Sequence, residues 1–520
     1  MKVIFLIEGV NIMKSLKKII SFILCAVIVF GCFGSIFAYA AKDYDHYPQV
    51  FVCGIGSRVV YYKDDPEKKS IFYPLNTDIL LGNLKKFPSY TVDSIKNGDP
   101  KILYNCLYNW FADSFEDAAL EADGFTSKPN TAVDPCGLNY DGKGKYTFCY
   151  DSRLDPVDVA KQLHEYIKQV QKHSGSKKFE LVGSSYGTSV VTAYLNEYKS
   201  YRKHIDSVVL CVPSLKGVDL VGELFAGNLT IDPETLRQYI SLAVGNEDVD
   251  LVINILKKSG MWDLILKCAL EPALEAALMD VLAAVLRDVI GTCPMFWSFV
   301  QDEYFYDALE NVYGKDYKSP DHEYATLISR ITYYHENIMN KAEKILKDAA
   351  KTGIHVNVIC KYGRPAVPMS EHGNFRSDGV VSLEAASLGA TCSLRDERLP
   401  EDYKQKKYKK YNLISADGYI DASTCAFPLN TWIIKGLEHS EKSEDYYKLI
   451  DTVAYDNLDI FSNKYFPQFL QVSPNNSKKL IPLLPVEEND TETTIIADVV
   501  TLAKRLVELV KTTIKDKLGK

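Results

Sequence analysis

Residues 181–188 read Leu181-Val182-Gly183-Ser184-Ser185-Tyr186-Gly187-Thr188, a G-x-S-x-G pattern centred on Ser185. Before it, Lys178 to Val182 has the character of a short strand; after it, Ser189 to Leu195 is apolar enough for a buried helix. A serine on a sharp turn between strand and helix sits in a strained backbone conformation that lifts its hydroxyl out of the chain. Strand and helix pass that closely only where the neighbours are small, and Gly183 and Gly187 supply the room. The helix start also leaves backbone N–H groups without intrahelical partners, and that of Tyr186 is placed to meet a developing negative charge.

Outward from this turn, strands alternate with helices. Pro48 to Cys53 and Tyr146 to Tyr150 read as strands. Asp155 is a good N-cap and Pro156 a good first residue for a helix whose stripe is Val159, Leu163, Ile167 and Val170. After the Ser185 turn and its helix comes a third strand, Ser207 to Val212. Such alternation predicts a parallel sheet covered on both faces. Residues 63–140 carry mixed signals and do not resolve into elements. Gly217 to Gly353 breaks the alternation and is helical in pattern. Its centre, Met261 to Ile290, is rich in Leu, Ala and Val, but Asp263, Lys267, Glu271, Glu275 and Asp280 interrupt it too often for a membrane span. It reads as an inserted cap, either a fixed lobe or in part a mobile lid. Strand pattern returns at Val356 to Cys360; a Lys/Tyr-rich loop follows at 402–411, then Thr431 to His439. The tail reads as an amphipathic helix, Thr493 to Leu518, with Val499, Leu502, Leu506, Leu509 and Thr513 on one face, docked on the domain rather than on a membrane.

The N-terminus has the three parts of an export signal: Lys14, Lys17 and Lys18, an apolar run from Ile19 to Phe37, and Ala38-Tyr39-Ala40 as cleavage site. An uncleaved anchor helix is the alternative; lipidation at Cys32 fits the flanking Phe30 and Phe33 poorly. Cleavage after Ala40 and a secreted or cell-surface protein are expected. Residues 1–40 hold four of the 60 basic and one of the 68 acidic residues, so the remainder has 56 against 67, a net charge of −11. An acidic chain without a basic block is a poor nucleic-acid binder. Ten Cys remain beyond residue 40, without metal-like spacing. Cys136 and Cys149 flank the turn Asp141-Gly142-Lys143-Gly144 and could bridge a hairpin; Cys211 and Cys360 fall inside apolar runs as buried thiols. The boundaries are therefore a signal at 1–40, a core at 41–216, a cap at 217–353, the second part of the core at 354–452 and a C-terminal extension at 453–520.

A serine hydroxyl is a weak nucleophile. It needs a base within hydrogen-bond reach, a carboxylate to hold that base, and donors for an oxyanion. Asp378, in Ser377-Asp378-Gly379-Val380-Val381, and His439, in Gly436-Leu437-Glu438-His439-Ser440, follow Ser185 in the order Ser, acid, His. His372 is the rival base but precedes Asp378; Asp417 and Asp421 are rival acids. Among the other histidines, His164 and His173 lie before the turn, His322 and His335 in the cap, and His355 at a strand start.

In this order the motifs resemble the α/β-hydrolases of the lecithin:cholesterol acyltransferase-like and bacterial lipase group. Val50 to Gly56 resembles the family's strand ending in His-Gly-x-Gly. Tyr150-Asp151-Ser152-Arg153-Leu154 is similar to Tyr-Asp-Trp-Arg-Leu, and Val212 to Gly217 to a Thr-Pro-His-x-Gly turn. Val358 to Gly363, with Ser377 to Val381 beyond, resembles the family's x-Tyr-Gly strand and Asp-Gly-Thr-Val acid loop. The resemblance, spanning roughly Pro48 to Ser440, implies an α/β-hydrolase fold with a mostly parallel sheet and a helical cap. It implies a Ser185–His439–Asp378 triad, with the N–H groups of Ile55 and Tyr186 as oxyanion donors. Three departures stand out: Cys53 where the family has His, so that a bracing side chain is lost; Ser152 in place of Trp; and Ser184 in place of the frequent His. The expected activity is hydrolysis of carboxylic esters, most of all lipid acyl esters, with no cofactor and no metal. The expected partner is a small-molecule or lipid ester substrate; peripheral contact with lipid aggregates stays open. A non-catalytic binding protein on the same scaffold, an amidase and an acyltransferase are the alternatives.

Overall fold

The computed structural model describes residues 46–71, 116–228, 257, 259, 286–364, 375–394 and 397–485. The expected signal at 1–40, nearly all of Met261 to Ile290, His372 and the Thr493 to Leu518 helix lie outside these residues.

Eight strands form one sheet: β1 (Gln49–Val52), β2 (Lys145–Phe148), β3 (Phe179–Ser184), β4 (Ile205–Cys211), β5 (His355–Tyr362), β6 (Thr431–Lys435), β7 (Phe469–Ser473) and β8 (Asn476–Pro482). Their order is β8-β7-β6-β5-β4-β3-β1-β2, and every pairing is parallel except β7 with β8. The register keeps the C-terminal ends close together: Val52 pairs with both Phe148 and Gly183, Ser184 with Cys211, and Tyr362 with Lys435. The order reverses around β1, so the crevice beyond the ends of β1 and β3 is the place where such a sheet binds ligands.

Helices α1 (Pro156–Ser174), α2 (Tyr186–Glu197) and α6 (Ala342–Ala350) lie on one face, with α2 packed on α1, α6 and β3. As the cap signals predict, Asp155 accepts the Val157 N–H, Pro156 opens α1, and Val159, Leu163, Ile167 and Val170 are fully buried. Helix α7 (Glu444–Tyr455) covers the opposite face. The alternation of side chains along the strands sends Glu180, Ser207, Asn357 and Lys361 to the α7 side. There Ser207 Oγ donates to Ala454 O at 2.8 Å and Asn357 Nδ2 to Val453 O at 3.0 Å.

Between β4 and β5 the described chain is helical: α3 (Asp219–Ala226), α4 (Phe305–Tyr313), α5 (Ala325–Asn337) and α6. Trp297 anchors this part, stacked on Tyr313 and edge-on to Phe225 and Phe305. Helix α6 packs on α2 and β5 and so returns the chain to the sheet. None of the helices among the described residues is long and apolar enough to cross a membrane.

Two findings differ from the sequence reading. The sheet runs past residue 452, because β7 and β8 come from the segment read as an extension. β8 is an edge strand exposed at Asn476 to Lys479, the polar surface that keeps an edge from pairing further. Cys136 and Cys149 are both free thiols, and the Cys149 N–H donates to Cys136 Sγ at 3.4 Å. The turn between them forms, with Gly142 and Gly144 at positive φ.

Candidate active site

Ser185 directly follows β3 and caps α2, with φ 54° and ψ −126°. Positive φ at a residue other than glycine is the strained turn expected of the motif. The neighbours hold it there. Ser185 N–H donates to Cys211 O at 2.9 Å, and Thr188 donates to Ser185 O through its N–H at 2.8 Å and its Oγ1 at 2.6 Å. A Cβ on Gly183 would stand 2.9 Å from Gly187 O, and one on Gly187 2.6 Å from Cys53 O. Both glycines are therefore required by close approach, and the second presses α2 against the end of β1.

The structure brings the two other predicted residues to this turn. His439 Nε2 lies 2.8 Å from Ser185 Oγ, and His439 Nδ1 lies 2.7 Å from Asp378 Oδ2. Asp378 Oδ1 accepts the N–H groups of Val380 and Val381 at 3.0 and 2.8 Å, which leaves Oδ2 to the imidazole. Asp378 is 1 % exposed, Ser185 and His439 6 % each, so the run of bonds is largely screened from water. Burial alone would raise the Asp378 carboxyl; the charge of His439, its hydrogen bond and the two backbone donors outweigh it, and the carboxyl sits below its usual value. An ionised Asp378 can only accept, so Nδ1 donates to it; in the neutral imidazole that leaves Nε2 as the acceptor facing Ser185.

Ile55 lies in the turn after β1, buried, and Tyr186 is the first residue of α2, its side chain fully buried. Cys53 stands in this turn, and the turn is braced by other groups. Gly56 N–H donates to Ser152 Oγ at 3.1 Å, Ser57 Oγ to Tyr150 O at 3.2 Å, and Tyr150 Oη to Cys53 O at 2.6 Å. Ser152 thus supports the turn from the segment that follows the neighbouring strand β2; no local signal in the sequence pointed to this bond. Cys53 Sγ lies 3.8 Å from Cys149 Sγ. The hydrogen bond with Cys149 and burial push the Cys53 thiol well up, while the same bond pulls that of Cys149 down against its burial.

The two rival acids are engaged elsewhere, while His372, the rival base, lies outside the described residues. Asp417 takes the hydroxyl of Tyr362 at 2.6 Å and the ammonium of Lys435 at 3.1 Å; Asp421 takes the Tyr403 hydroxyl and the Ser423 N–H. His164 stacks on Tyr198, His173 meets Tyr146 Oη, His322 meets Tyr313 O, and His335 stacks on Phe305 beside Asp302. His355 is exposed. Sequence reasoning also passed over Lys361, an ammonium buried in β5 beneath the histidine loop. Its signal was available: one lysine in the otherwise uncharged run Val356 to Tyr362. Among the described residues no group of three or more His, Cys, Asp or Glu is arranged to hold a metal ion.

The family model of the alpha/beta hydrolase fold matches residues 105–311, a span that includes β3, the Ser185 turn and α2. No curated protein matches the chain. With its mostly parallel sheet and flanking helices, the chain has the α/β-hydrolase fold, and that match supports hydrolase activity.

Proposed function

We propose that the protein is a serine hydrolase of carboxylic esters, lipid acyl esters foremost, related to the lipase-like members of its fold and acting outside the cytoplasm. The observation that carries the reading is the unbroken run of hydrogen bonds Ser185 Oγ–His439 Nε2 and His439 Nδ1–Asp378 Oδ2.

His439 Nε2 takes the Ser185 proton as Oγ adds to the ester carbonyl. The N–H groups of Tyr186 and Ile55 receive the oxyanion, the first at a helix start where that donor is free. The tetrahedral adduct collapses, breaking the carbonyl–alkoxy bond, and the imidazolium gives its proton to the departing alcohol. Water then enters, loses a proton to His439 Nε2 and adds to the acyl carbonyl. The second collapse releases the acid and returns the proton to Ser185. Asp378 stays ionised and stabilises the imidazolium formed in each half. The preference for lipid rests on the apolar composition of residues 261–290, which suits an acyl-binding wall.

The test is kcat/KM across p-nitrophenyl acetate, butyrate, octanoate and palmitate, with a matched anilide. Each added methylene that finds a pocket contributes up to about 0.8 kcal/mol, so the value should climb from acetate until the pocket is full. A steady fall from acetate onward contradicts the lipid reading, and faster cleavage of the anilide contradicts the ester reading.

A further inference from the structure

Lys361 occupies β5 opposite Ile434 of β6 and is 1 % exposed. Its ammonium donates to three backbone carbonyls: Glu438 O and His439 O at 3.1 Å each, and Glu441 O. The Tyr446 ring of α7 lies 4.4 Å from Nζ. A protonated lysine has three N–H donors, and here three carbonyls from one four-residue stretch receive them. All three belong to the loop that carries His439. A buried ion is costly, and an apolar chain of the same length would fill this space at lower cost. What the apolar chain could not do is hold three carbonyls at once.

We propose that Lys361 is a positioning residue for His439, fixing the histidine loop from below while Asp378 fixes the ring from the side; the inference rests on the Ser185–His439–Asp378 reading. The two side chains act on different parts of His439. Asp378 orients the imidazole about its ring bond, and Lys361 sets the height of the His439 backbone relative to the end of β5. Removing the second lets the loop drift, and displacement of a general base by about an ångström costs up to ~100-fold in rate.

The same geometry gives the device a pH signature. The groups facing the ammonium are Cys211 of β4, Asp378 of the acid loop, Glu441 and Lys442 of the histidine loop, and Tyr446 of α7. Burial, partly offset by Asp378, brings Lys361 down to about 8, whereas burial drives Cys211 up to about 12 and Tyr446 well above its ordinary value. Of these three, only Lys361 changes charge near pH 8. A neutral amine has two N–H groups for three carbonyls and turns a lone pair towards one of them. The loop therefore loosens above that pH.

The experiment measures kcat/KM on a soluble p-nitrophenyl ester and the rate of fluorophosphonate labelling, from pH 6 to 10, for wild type, Lys361→Met, Lys361→Arg and Ser185→Ala. Wild type should lose activity above about pH 8. Lys361→Met should lose ~10–100-fold at pH 7, mostly in kcat, and lack the alkaline fall. Lys361→Arg, always charged, should keep measurable activity and carry it to higher pH. If the Met variant does not fold, the Arg variant decides: an alkaline fall identical to that of wild type overturns the inference. So does a folded Met variant that matches wild type at every pH. If wild type is not labelled, or Ser185→Ala is labelled equally, the triad reading itself fails and takes this inference with it.

Discussion

His439 is tied to Asp378 twice: ring Nδ1 to carboxylate Oδ2 at 2.7 Å, and backbone N–H to the Asp378 carbonyl at 2.9 Å. The backbone tie does not depend on the side chain. Asp378→Asn should therefore keep the histidine loop in place while offering Nδ1 the wrong partner. We expect kcat to fall by about 10³–10⁴-fold with KM little changed and with thermal stability close to wild type. An Asn variant that loses its fold, or retains full activity, contradicts this.

Ser185 and His439 act on one proton, so their losses should not add. Ser185→Ala and His439→Ala should each cost about 10⁴-fold or more in kcat, and the double variant little beyond either alone. Independent, additive losses in purified variants would show that the two side chains do not share a step.

Ser152 holds the turn beside the proposed oxyanion site through the Gly56 N–H. Ser152→Ala removes that acceptor and should lower kcat by about 10-fold while KM stays within about 2-fold, since an oxyanion donor matters chiefly in the transition state. Equal kcat in the variant would show that Ser57 and Tyr150 suffice as braces.

How much of this was open to reading follows from where each contact lies along the chain. The Ser185 turn is local, so strand, glycines and helix announce it within a few residues. Asp155 and Pro156 announce α1 in the same way. The serine–histidine bond spans 254 positions and was reached only through the order of the motifs. The Gly56–Ser152 bond, 96 positions apart, left no pattern at all, and the missing histidine suggested a weakened turn where the structure has an alternative brace. β8 escaped because an exposed edge strand has no apolar alternation to detect. Lys361 was visible as a charge inside a buried strand, but its three carbonyl partners were not.

Cys53 should be chemically quiet. Its thiol is pushed well up by the bond to Cys149 and by burial, and alkylation requires the thiolate. Cys53→Ala should retain activity within ~3-fold, and iodoacetamide at neutral pH should leave wild type active. Inactivation that tracks alkylation of Cys53, followed by peptide mass spectrometry, contradicts the assignment.

Asp155 caps α1 with one oxygen and leaves Oδ2 buried without a hydrogen bond. Burial raises its carboxyl to about 7. Because the folded value lies above the unfolded value of about 3.9, the folded state binds the extra proton between the two. Stability is then greatest below pH 4 for this group and declines as pH rises towards 7. Asp155→Asn keeps a capping oxygen without the charge. Its unfolding free energy relative to wild type, and with it Tm, should rise between pH 5 and pH 8, by roughly 2–4 kcal/mol at most. A Tm difference that does not move with pH would contradict the assignment.

The central claim is that Ser185 is the nucleophile and His439 its base. The most direct measurement labels the native protein with a fluorophosphonate, maps the adduct by mass spectrometry, and follows ester hydrolysis in the same sample. The account predicts one adduct per chain, on Ser185, with activity lost in proportion to labelling. It predicts that His439→Ala labels at least ~10³-fold more slowly. An adduct on another residue, or hydrolysis that survives full modification of Ser185, would contradict it.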